Sequence, residues 1–474
     1  MDQRDDLLRR TTEIALEFLE GLPDRPVGLP VAVGDLRAAL GGALPETGED
    51  PREVVERLAR AADPGIVAMA GPRYFGFVIG GHLPAALAAD WLTSAWDQNA
   101  GLYATSPANS VAEEVAAGWL LDLLDLPRAA SVGFTTGGAM ANCTGLAAGR
   151  HAVLARAGWD VEARGLFGAP EIDVVIGDEA HATILSSLQM LGLGRDRVKK
   201  VPSDGQGRMR ADALREILAD CRGPLLVCAQ AGNVNTGSFD PVDEIAGAVH
   251  ERGGWLHVDG AFGLWARVSP DLAPLACGVE KADSWATDGH KWLNVPYDCG
   301  IVIVNDPESH RAAMTIAAAY LVQTEGRERD PFDWVPEFSR RARGFTVYAA
   351  LRSLGRAGVR DLIERCSSHA RRFADHLRGR PGIEVLNDVV LNQVLVRFTP
   401  PGGGDVDGGD ADGGDADAFT REVIARVQKD GTCWLGGTVW HGMAAMRISV
   451  SNWSTTGEDV DRSAEAIVRA ALAR

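Results

Sequence analysis

The sequence lacks the features that mark membrane, secreted or metal-binding proteins. Its seven cysteines are scattered without a CxxC pair, which favours free thiols in a reducing compartment over a disulfide framework or a zinc site. No apolar run approaches the roughly 18 residues needed to cross a bilayer. The opening residues, MDQRDDLLRR, lack the apolar core of a secretory signal. These absences predict a cytoplasmic protein with no metal ion and no membrane partner.

Positive charge is also scarce. Lys and Arg number 47 against 65 Asp and Glu, and the formal net charge of −18 argues against nucleic acid or an anionic membrane as a partner. Glycine is abundant, with 55 among 474 residues, as suits the tight strand-to-helix turns of an α/β protein. A chain of this length predicts a main domain and a smaller one.

Short apolar stretches alternate with helical patterns through the middle of the chain. The predicted strands are Asp173–Ile176, Leu225–Ala229, Trp255–Val258 and Gly300–Val304. This alternation predicts an α/β fold with a mostly parallel sheet covered by helices on both faces. A smaller α+β unit follows, with strands predicted near 383–386, 393–398 and 446–450.

Three domains are predicted from these patterns. Residues 1–100 form an N-terminal helical segment, 101–380 a large α/β domain, and 381–474 a small C-terminal α+β domain. Within the last, residues 400–417 (PPGGGDVDGGDADGGDAD) are interpreted as a disordered loop, since they lack the closing Glu of a calcium loop.

The N-terminal segment has its own signals. Apolar residues recur at helical spacing from Leu7 to Leu19, which predicts an amphipathic helix that packs on another part of the protein or on a second subunit. Asp50, followed by Pro51 and Glu53, predicts the start of another helix. The residues between, 21–48, are interpreted as connecting chain.

One lysine is singled out by its surroundings. Lys291 lies in a Gly-His-Lys-Trp turn between a strand-like stretch and the apolar run Gly300–Val304. Desolvation there favours the neutral amine, which can form a Schiff base with an aldehyde, and pyridoxal phosphate is the commonest enzyme-bound aldehyde. Most lone lysines are surface residues, so this interpretation depends on the motifs around it.

Further motifs follow predicted strands, where a parallel sheet places its ligands. The turn TTGGAMANCT, from Thr135, opens a helix whose free N–H groups can hold a phosphate, although it matches neither GxGxxG nor a P-loop. His181 has a flat ring that can stack on a pyridine. Asp259 ends an apolar strand, and a buried carboxylate needs a cation, such as a protonated pyridine nitrogen. Taken singly, the turn could be ordinary helix capping and His181 a capped surface histidine.

In this order, the motifs resemble those of the group II pyridoxal-phosphate-dependent amino-acid decarboxylases, the aromatic-L-amino-acid decarboxylase type of fold type I. The resemblance runs from about Arg73 to the C terminus and rests on HVDGAF, DGHKW and FSRRARG, the last at Phe338–Gly344. It implies a fold-type-I architecture, pyridoxal 5'-phosphate as cofactor, and a small amino acid as substrate. It also implies a homodimer with shared active sites and N-terminal helices exchanged between subunits.

The resemblance implies a role for several individual residues. Lys291 would carry the cofactor as a Schiff base, Asp259 would pair with the ring nitrogen, and His181 would stack on the ring. Ala261 is small enough for the ring to lie against the backbone. The phosphate cradle would be formed by Gly137, Gly138, Ala139 and His290.

The reaction type depends on a proton donor. The same lysine serves aminotransferases, lyases and decarboxylases, and a decarboxylase must protonate Cα with water excluded. The family uses a tyrosine on a flexible loop of the neighbouring subunit, and Tyr320, at the start of a polar loop, matches it. A phenylalanine there would indicate an aldehyde-forming enzyme, so Tyr320 favours decarboxylation. An aromatic residue that merely anchors the loop is the plainer alternative.

The chain departs from the family pattern at several positions. Gly137 and Ala139 stand where hydroxyl residues are common, Asn233 replaces a threonine near the substrate carboxylate, and Gly260 replaces an alanine after the aspartate. These changes are compatible with the chemistry, and they leave the substrate open.

Three residues are predicted to line the substrate pocket: His82, Phe77 and Tyr74. The aromatic rings indicate an apolar or aromatic substrate side chain, whereas His82 could recognise a polar or acidic one. Ordinary core packing explains aromatic residues equally well.

Three functions follow from these observations. The first is a decarboxylase that converts an L-amino acid, preferably aromatic, to its amine and carbon dioxide. The second is an aldehyde synthase or an aminotransferase-like enzyme on the same scaffold. The third is a catalytically silent homologue that binds a partner through its acidic insert. The intact set of Lys291, Asp259 and His181 argues against the third, and Tyr320 favours the first.

Overall fold

The structure is a computed structural model that describes residues 3–315, 328–400 and 413–473. Within these residues the helices are α1 (Gln3–Gly21), α2 (Val33–Leu40), α3 (Pro51–Ala62), α4 (Pro84–Trp96), α5 (Pro107–Leu123), α6 (Gly138–Arg156), α7 (Val161–Arg164), α8 (Ala182–Met190), α9 (Ala211–Ala219), α10 (Val242–His250), α11 (Pro307–Met314), α12 (Gly344–Leu377), α13 (Gly413–Asp430) and α14 (Gly457–Leu472). The strands are β1 (Ser131–Thr135), β2 (Asp173–Gly177), β3 (Lys199–Val201), β4 (Leu225–Gln230), β5 (Trp255–Asp259), β6 (Ser284–Asp288), β7 (Gly300–Val304), β8 (Ile383–Val385), β9 (Gln393–Phe398), β10 (Gly436–Trp440) and β11 (Met443–Ser449).

Contacts between residues group the chain into two compact units. The first takes in the described parts of 1–79, 372–386 and 395–474, and the second takes in those of 80–371 and 387–394. The three-domain division predicted above, with boundaries at 100 and 380, stays a prediction. No helix in the described ranges is long and apolar enough to cross a membrane. All seven cysteines lie in those ranges as free thiols.

The second unit is built on a seven-stranded sheet of order β1-β7-β6-β5-β4-β2-β3. Strand β7 runs antiparallel to both of its neighbours, and the other pairs are parallel, which confirms the mostly parallel α/β architecture. Strands such as β4 (LLVCAQ) and β7 (GIVIV) are buried along their whole length because helices cover the sheet. Helix α6 supplies Leu146, Ala148 and Val153 to the main apolar core against this sheet.

The parallel strands bring their carboxyl ends to one edge of the sheet. Strands β1, β2, β4, β5 and β6 all end there, and the reversed strand β7 begins there, since Gly300 pairs with both Thr135 and Asp288. Gly300 is required by close packing, because a Cβ atom at this position would lie 2.3 Å from the carbonyl carbon of Gly137. The edge therefore collects the turns that follow these strands and β3, which runs parallel to β2.

The first unit contains a four-stranded antiparallel sheet of order β10-β11-β9-β8. Strands were predicted close to β8, β9 and β11, and the structure contains all three. Most of the predicted disordered loop, residues 400–417, lies outside the described residues. The prediction was wrong for its last five residues, because helix α13 begins at Gly413. Asp417 accepts a hydrogen bond from Ala444 N at 2.9 Å and pairs with Arg397 at 2.6 Å, which holds this end of the segment.

The N-terminal segment is helical where the apolar spacing predicted it. Helix α3 starts at Pro51, and the Asp50 carboxylate caps it by accepting from the N–H groups of Arg52 and Glu53. The reading of 21–48 as connecting chain alone was wrong, because α2 lies within it. Sequence patterns missed α2 since it is only eight residues long, buries no residue and has no capping side chain.

Candidate active site

Lys291 lies in the turn between β6 and β7. Its Nζ is 3.1 Å from Oδ2 of Asp288, the last residue of β6, and its side chain is mostly buried. The backbone of Gly80 packs so closely on this turn that a Cβ there would lie 1.8 Å from the Lys291 carbonyl oxygen. Asn294 donates its side-chain amide to the carbonyl of Trp292 at 3.0 Å and closes the turn. The lysine is thus a buried, positioned amine rather than a mobile surface one.

Asp259 ends the neighbouring strand β5 and is only 4% exposed. Its Oδ1 accepts the N–H of Ala261 at 3.1 Å, and its Oδ2 accepts Nδ2 of Asn142 at 3.2 Å. Within the described ranges no arginine, lysine or histidine forms an ion pair with it. A buried carboxylate that lacks a cation is costly, so this site is suited to a cationic ligand atom.

Ala261 joins the two aspartates through the backbone. Its N–H donates to Asp259, and its carbonyl accepts the N–H of Asp288 at 2.9 Å. The side-chain hydroxyl of Thr287 donates to the same carbonyl at 3.3 Å. Backbone hydrogen bonds of Ala261 therefore connect Asp259 to Asp288, and the side chain of Ala261 is only a methyl group.

His181 is the N-cap residue of α8. Its Nδ1 accepts the N–H of Thr183 at 3.3 Å and lies 2.8 Å from the Thr183 hydroxyl. That hydroxyl is also 3.3 Å from Nδ2 of Asn142, which contacts Asp259. His181 and Asp259 also line the same small cavity. The capping role left open by the sequence is thus present, and it holds the ring on the side of the sheet edge where Asp259 lies.

The glycine-rich turn has Gly137 as N-cap of α6 and Gly138 as its first residue. The N–H of Gly138 donates to Oδ1 of Asp288 at 2.5 Å. Free N–H groups at a helix N terminus favour an anion, and an aspartate carboxylate already lies there. Ala139, next along the turn, is exposed, and its carbonyl accepts the hydroxyl of Ser187 at 3.2 Å.

His290 borders this turn. Its Nδ1 accepts the N–H of Cys299 at 3.1 Å, so in the neutral ring Nε2 carries the proton, and Nε2 is 3.4 Å from Oδ1 of Asp288. Burial lowers the pKa of His290, in spite of the opposing effect of Asp288. Tyr297 stacks on the imidazole with ring centroids 4.3 Å apart. A fixed, neutral N–H donor therefore points at the place where Asp288 meets the helix.

Asn233 lies in the turn after β4 and is almost fully buried. Its Oδ1 accepts the N–H groups of Asn235 and Thr236, at 2.8 and 3.2 Å. Its Nδ2 has no hydrogen-bond partner among the described residues. Two residues earlier, Ala231 donates its N–H to the carbonyl of Asp259 at 2.8 Å. An unpaired buried donor is expensive, which makes Asn233 a candidate ligand-binding group close to β5.

The predicted substrate residues fall in different units. Tyr74 and Phe77 belong to the first, where Tyr74 stacks on Trp434 at 5.0 Å and Phe77 lies against the same ring at 5.6 Å. This is the aromatic packing that the sequence left as an alternative, and their contact with substrate stays a prediction. His82 belongs to the second unit, and burial lowers its pKa. The next residue, Leu83, donates its N–H to the carbonyl of Asn294 at 2.8 Å, in the Lys291 turn.

Tyr320 lies outside the described residues, so its predicted role as proton donor stays a prediction. Part of the polar loop that begins at Tyr320 is described, and most of that part is packed against the protein rather than exposed. Residues Pro331–Trp334 form a 3-10 turn with Phe332 fully buried and packed edge-on against Phe338. The aromatic residues in this otherwise charged stretch were the signal for burial.

The FSRRARG motif holds two of the segments that form the site. Arg340 pairs with Glu113 at 2.5 Å, both fully buried, and donates to the carbonyl of Phe134 in β1 at 2.7 Å. Arg343 donates to Oδ1 of Asp298 at 2.9 Å, in the loop before β7. The motif therefore braces the strand that leads into the glycine turn and the loop that follows Lys291.

Sequence reasoning missed four polar residues that complete the site: Asn142, His257, Ser284 and Asp288. Asn142 and His257 lie inside the motifs TTGGAMANCT and HVDGAF, and Asp288 begins DGHKW. The hydrogen bonds that join these residues to one another, to Asp259 and to Gly138 span 27 to 150 positions along the chain, and no spacing rule connects them.

The assembled residues fit pyridoxal phosphate. A buried amine can bind an aldehyde, and a buried carboxylate without a cation can hold a protonated ring nitrogen. The N terminus of α6 and the Nε2–H of His290 are donors for a phosphate. The one feature opposed to this fit is the Asp288 carboxylate on the N–H of Gly138.

Comparisons with known proteins agree with this fit. A sequence profile described as the pyridoxal-dependent decarboxylase conserved domain matches residues 34–399. The aromatic-L-amino-acid decarboxylase of Mus musculus is 30% identical over 419 residues, which cover 84% of this chain and 86% of that protein. The acidic amino acid decarboxylase GADL1 of Homo sapiens is 26% identical over 409 residues, with coverage of 85% and 77%. A crystal structure of Oryza sativa TDC with PLP and tryptamine superposes with a TM-score of 0.91 at 25% identity, covering 99% of this chain and 98% of that chain.

Proposed function

Because this chain belongs to the pyridoxal-dependent decarboxylase family, we propose that it converts an aromatic L-amino acid to the amine and carbon dioxide, with Lys291 as the residue that holds the cofactor. Pyridoxal phosphate is the cofactor and the enzyme class is carboxy-lyase. When bound, pyridoxal phosphate supplies an aldehyde that joins to amines and a ring that accepts the electron pair released at Cα.

The observation that carries the proposal is the burial of the Asp259 carboxylate without a cationic partner among the described residues. Two donors hold the carboxylate in place. Asp259 would keep a proton on the ring nitrogen, because burial makes an ion pair with that nitrogen far more favourable than two separate charges. A protonated ring withdraws electrons from Cα more strongly.

Lys291 would bind the cofactor aldehyde through its amine and release it to the substrate. Nζ of Lys291 lies 3.1 Å from the Asp288 carboxylate. The proton must leave Nζ before the amine can attack a carbonyl, and the adjacent carboxylate is placed to accept or share it. The neutral ring of His290 would donate Nε2–H to the phosphate, together with N–H groups of Gly137, Gly138 and Ala139.

His181 and Asn233 would orient the ring and the substrate. The capping bond from Thr183 fixes the His181 imidazole, and a fixed ring can stack on a flat cofactor with little loss of entropy. The unpaired Nδ2 of Asn233 would bind an oxygen of the cofactor or of the substrate carboxylate. Tyr320, supplied by a partner subunit, would deliver the proton to Cα after carbon dioxide leaves, as the family resemblance implies.

His82 favours an aromatic over an acidic substrate. An acidic side chain would need a cation in the pocket, and burial lowers the pKa of His82, so that its ring is neutral near pH 7. The similar mouse enzyme is named for aromatic amino acids and the similar human enzyme for acidic ones, so both classes belong in the test.

A homodimer is part of the proposal. The second unit exposes several large apolar side chains on α4, α5 and α12, which an isolated subunit would leave in water: Trp91, Leu92, Trp96, Val111 and Tyr348. In helices α1 and α3, none of the residues whose burial the structure describes is completely buried, although each helix has apolar positions. Exposed apolar faces of this kind are typical of subunit interfaces.

The test is to incubate the purified protein and pyridoxal phosphate with separate pools of aromatic and acidic L-amino acids. Mass spectrometry then follows amine, aldehyde, keto acid and carbon dioxide. We expect amines from the aromatic pool, loss of all products in Lys291→Ala, and aldehyde in place of amine in Tyr320→Phe. Lys281→Ala, an exposed lysine paired with Asp243, is the matched control and should keep activity. Keto acid as the product would contradict decarboxylation, and turnover of the acidic pool alone would contradict the substrate class.

A further inference from the structure

A continuous chain of buried polar side chains runs behind Asp259. Nε1 of Trp255 is 2.9 Å from Oγ of Ser284, and Oγ is 2.8 Å from Nδ1 of His257. Nε2 of His257 is 2.9 Å from Oδ1 of Asn142, whose Nδ2 is 3.2 Å from Oδ2 of Asp259. All five side chains are buried, and none of the first three can touch a ligand at the sheet edge through these atoms.

The direction of every hydrogen bond in this chain can be worked out. The Asp259 carboxylate only accepts, so Asn142 must turn its amide nitrogen towards it and its oxygen towards His257. His257 must then donate from Nε2. Burial lowers the pKa of His257 to about 3, so the ring is neutral and its Nδ1 accepts from the Ser284 hydroxyl. Indole N–H groups only donate, and Trp255 therefore donates to Ser284.

We propose that His257 and Ser284 are positioning residues, which act through Asn142 to hold the Asp259 carboxylate in the orientation that lets it pair with the protonated nitrogen of the cofactor ring. This inference rests on the proposed pairing of Asp259 with that nitrogen. Four donors in series point the same way, and each polarises the next, so the last one binds the carboxylate more strongly than an isolated amide would.

The arrangement has no other evident purpose in the fold. Strands β5 and β6 are already paired by backbone hydrogen bonds between His257 and Ser284. A serine, a histidine and an asparagine buried in a sheet-to-helix interface cost stability relative to apolar residues of similar volume. Their polar atoms are bonded within this chain of side chains except for Nδ2 of Asn142, which donates to Asp259 at 3.2 Å and lies 3.3 Å from the Thr183 hydroxyl. The chain therefore ends at the cofactor site rather than at the surface.

The experiment uses the holoenzyme loaded with pyridoxal phosphate labelled with ¹⁵N in the ring. The nitrogen chemical shift reports ring protonation, and titration of the cofactor into apoprotein reports its affinity. In Ser284→Ala and His257→Leu we expect the ¹⁵N signal to move towards that of a neutral pyridine. We also expect cofactor binding to weaken about fivefold, which corresponds to one hydrogen bond. His257→Gln, which retains a donor and an acceptor, should restore most of both.

Ser131 and His310 provide a matched control. They form a second buried Ser–His pair, also 2.8 Å apart, between strand β1 and helix α11, and it leads away from Asp259 to the carbonyl of Trp334. Ser131→Ala removes the same kind of bond at a similar cost in stability. It should leave the ¹⁵N shift and the cofactor affinity unchanged.

Two results would overturn the inference, and they can be told apart. If Ser284→Ala and His257→Leu match Ser131→Ala in both readouts while Asp259→Asn alters them, the relay has no effect and the role of Asp259 stands. If Asp259→Asn itself leaves the ring nitrogen protonated, the pairing assumed in the proposed function is wrong. Should Ser284→Ala fail to fold, the comparison of His257→Leu with His257→Gln decides alone.

Discussion

Replacing Asp288 by asparagine should make the apoprotein bind pyridoxal phosphate more tightly. The Asp288 carboxylate accepts the N–H of Gly138 at 2.5 Å, at the N terminus where the phosphate would lie, and pairs with Lys291 at 3.1 Å. A phosphate bound at this N terminus would therefore displace the Asp288 carboxylate from Gly138, and the two negative groups would stay close to each other. Asparagine keeps the shape, removes the charge and adds a donor for a phosphate oxygen.

The size of the effect follows from the distance. A phosphate held at the N terminus of α6 would be close to the Asp288 carboxylate, which contacts Gly138 there. Two unit charges about 4 Å apart repel by about 4 kcal/mol at an effective dielectric constant of 20. Rotation of the Asp288 side chain away from the helix relieves part of this repulsion. We expect a net gain of about 1.4 to 2.8 kcal/mol, which is a tenfold to hundredfold lower dissociation constant.

The assay is a titration of apoprotein with pyridoxal phosphate, followed by the absorbance of the bound cofactor. Pyridoxal, which lacks the phosphate, is titrated in parallel. Loss of the Asp288–Lys291 ion pair affects both ligands, whereas relief of repulsion affects only the phosphorylated one, so the ratio of the two dissociation constants isolates the phosphate effect. Asp333→Asn makes the same change at a buried carboxylate that contacts Arg311 and Thr315, and it should alter neither ligand.

A dissociation constant for pyridoxal phosphate that is unchanged or higher in Asp288→Asn would refute this reasoning. So would an equal gain for pyridoxal and its phosphate ester. Either outcome would mean that the cofactor does not displace Asp288 from Gly138. Asp288 would then either bind the cofactor itself or only hold the turn at Gly138 in place.

Three further predictions concern stability and assembly. Arg340→Met should lower the free energy of unfolding, measured in urea, by about 3 to 5 kcal/mol, because it leaves the fully buried Glu113 carboxylate without its cationic partner. A loss below about 1 kcal/mol would contradict this. Burial lowers the pKa of His310 to about 3, so the unfolded chain binds one more proton than the folded one between that value and the ordinary histidine pKa of about 6.5. Unfolding free energies should therefore fall as the pH is lowered from 6.5 towards 3, and His310→Gln should reduce this slope by about 1.4 kcal/mol per pH unit. An equal slope in wild type and variant would refute it. Trp96→Lys, at a tryptophan that is 49% exposed on α4, should shift the proposed dimer towards monomer in sedimentation velocity, and unchanged dimer would remove α4 from the interface.

The sheet could be predicted from the sequence because its strands carry local signals. The runs Leu225–Ala229 and Gly300–Val304 are apolar throughout, and Trp255–Val258 is apolar except for His257, as expected of strands covered on both faces; each run lies in an observed strand. Helix α2 has no comparable signal, since its apolar residues remain partly exposed and no side chain caps it. Local patterns therefore reveal those elements that are both long and buried.

The site could be predicted only where one residue carries the chemistry. Lys291 and Asp259 have distinctive neighbours along the chain, and the structure brings their strands side by side. The bond from Asn142 to Asp259 spans 117 positions, and that from Gly138 to Asp288 spans 150. Such pairs arise from strand order and register, and one sequence contains no periodicity that encodes them.

The two aspartates of the edge have opposite relations to an anionic cofactor, and the sheet fixes both at once. Asp259 lies opposite Ala286 in the β5–β6 ladder, and the ladder continues past the strands through the bond from Asp288 N–H to the Ala261 carbonyl. A shift of one strand by a single residue would move one carboxylate relative to the other and would break this register. The attraction at the ring nitrogen and the repulsion at the phosphate therefore cannot be tuned by sliding the backbone, only by changing side chains. For this reason Asp288, rather than the strand geometry, is where we expect cofactor affinity to be adjustable without loss of the Asp259 contact.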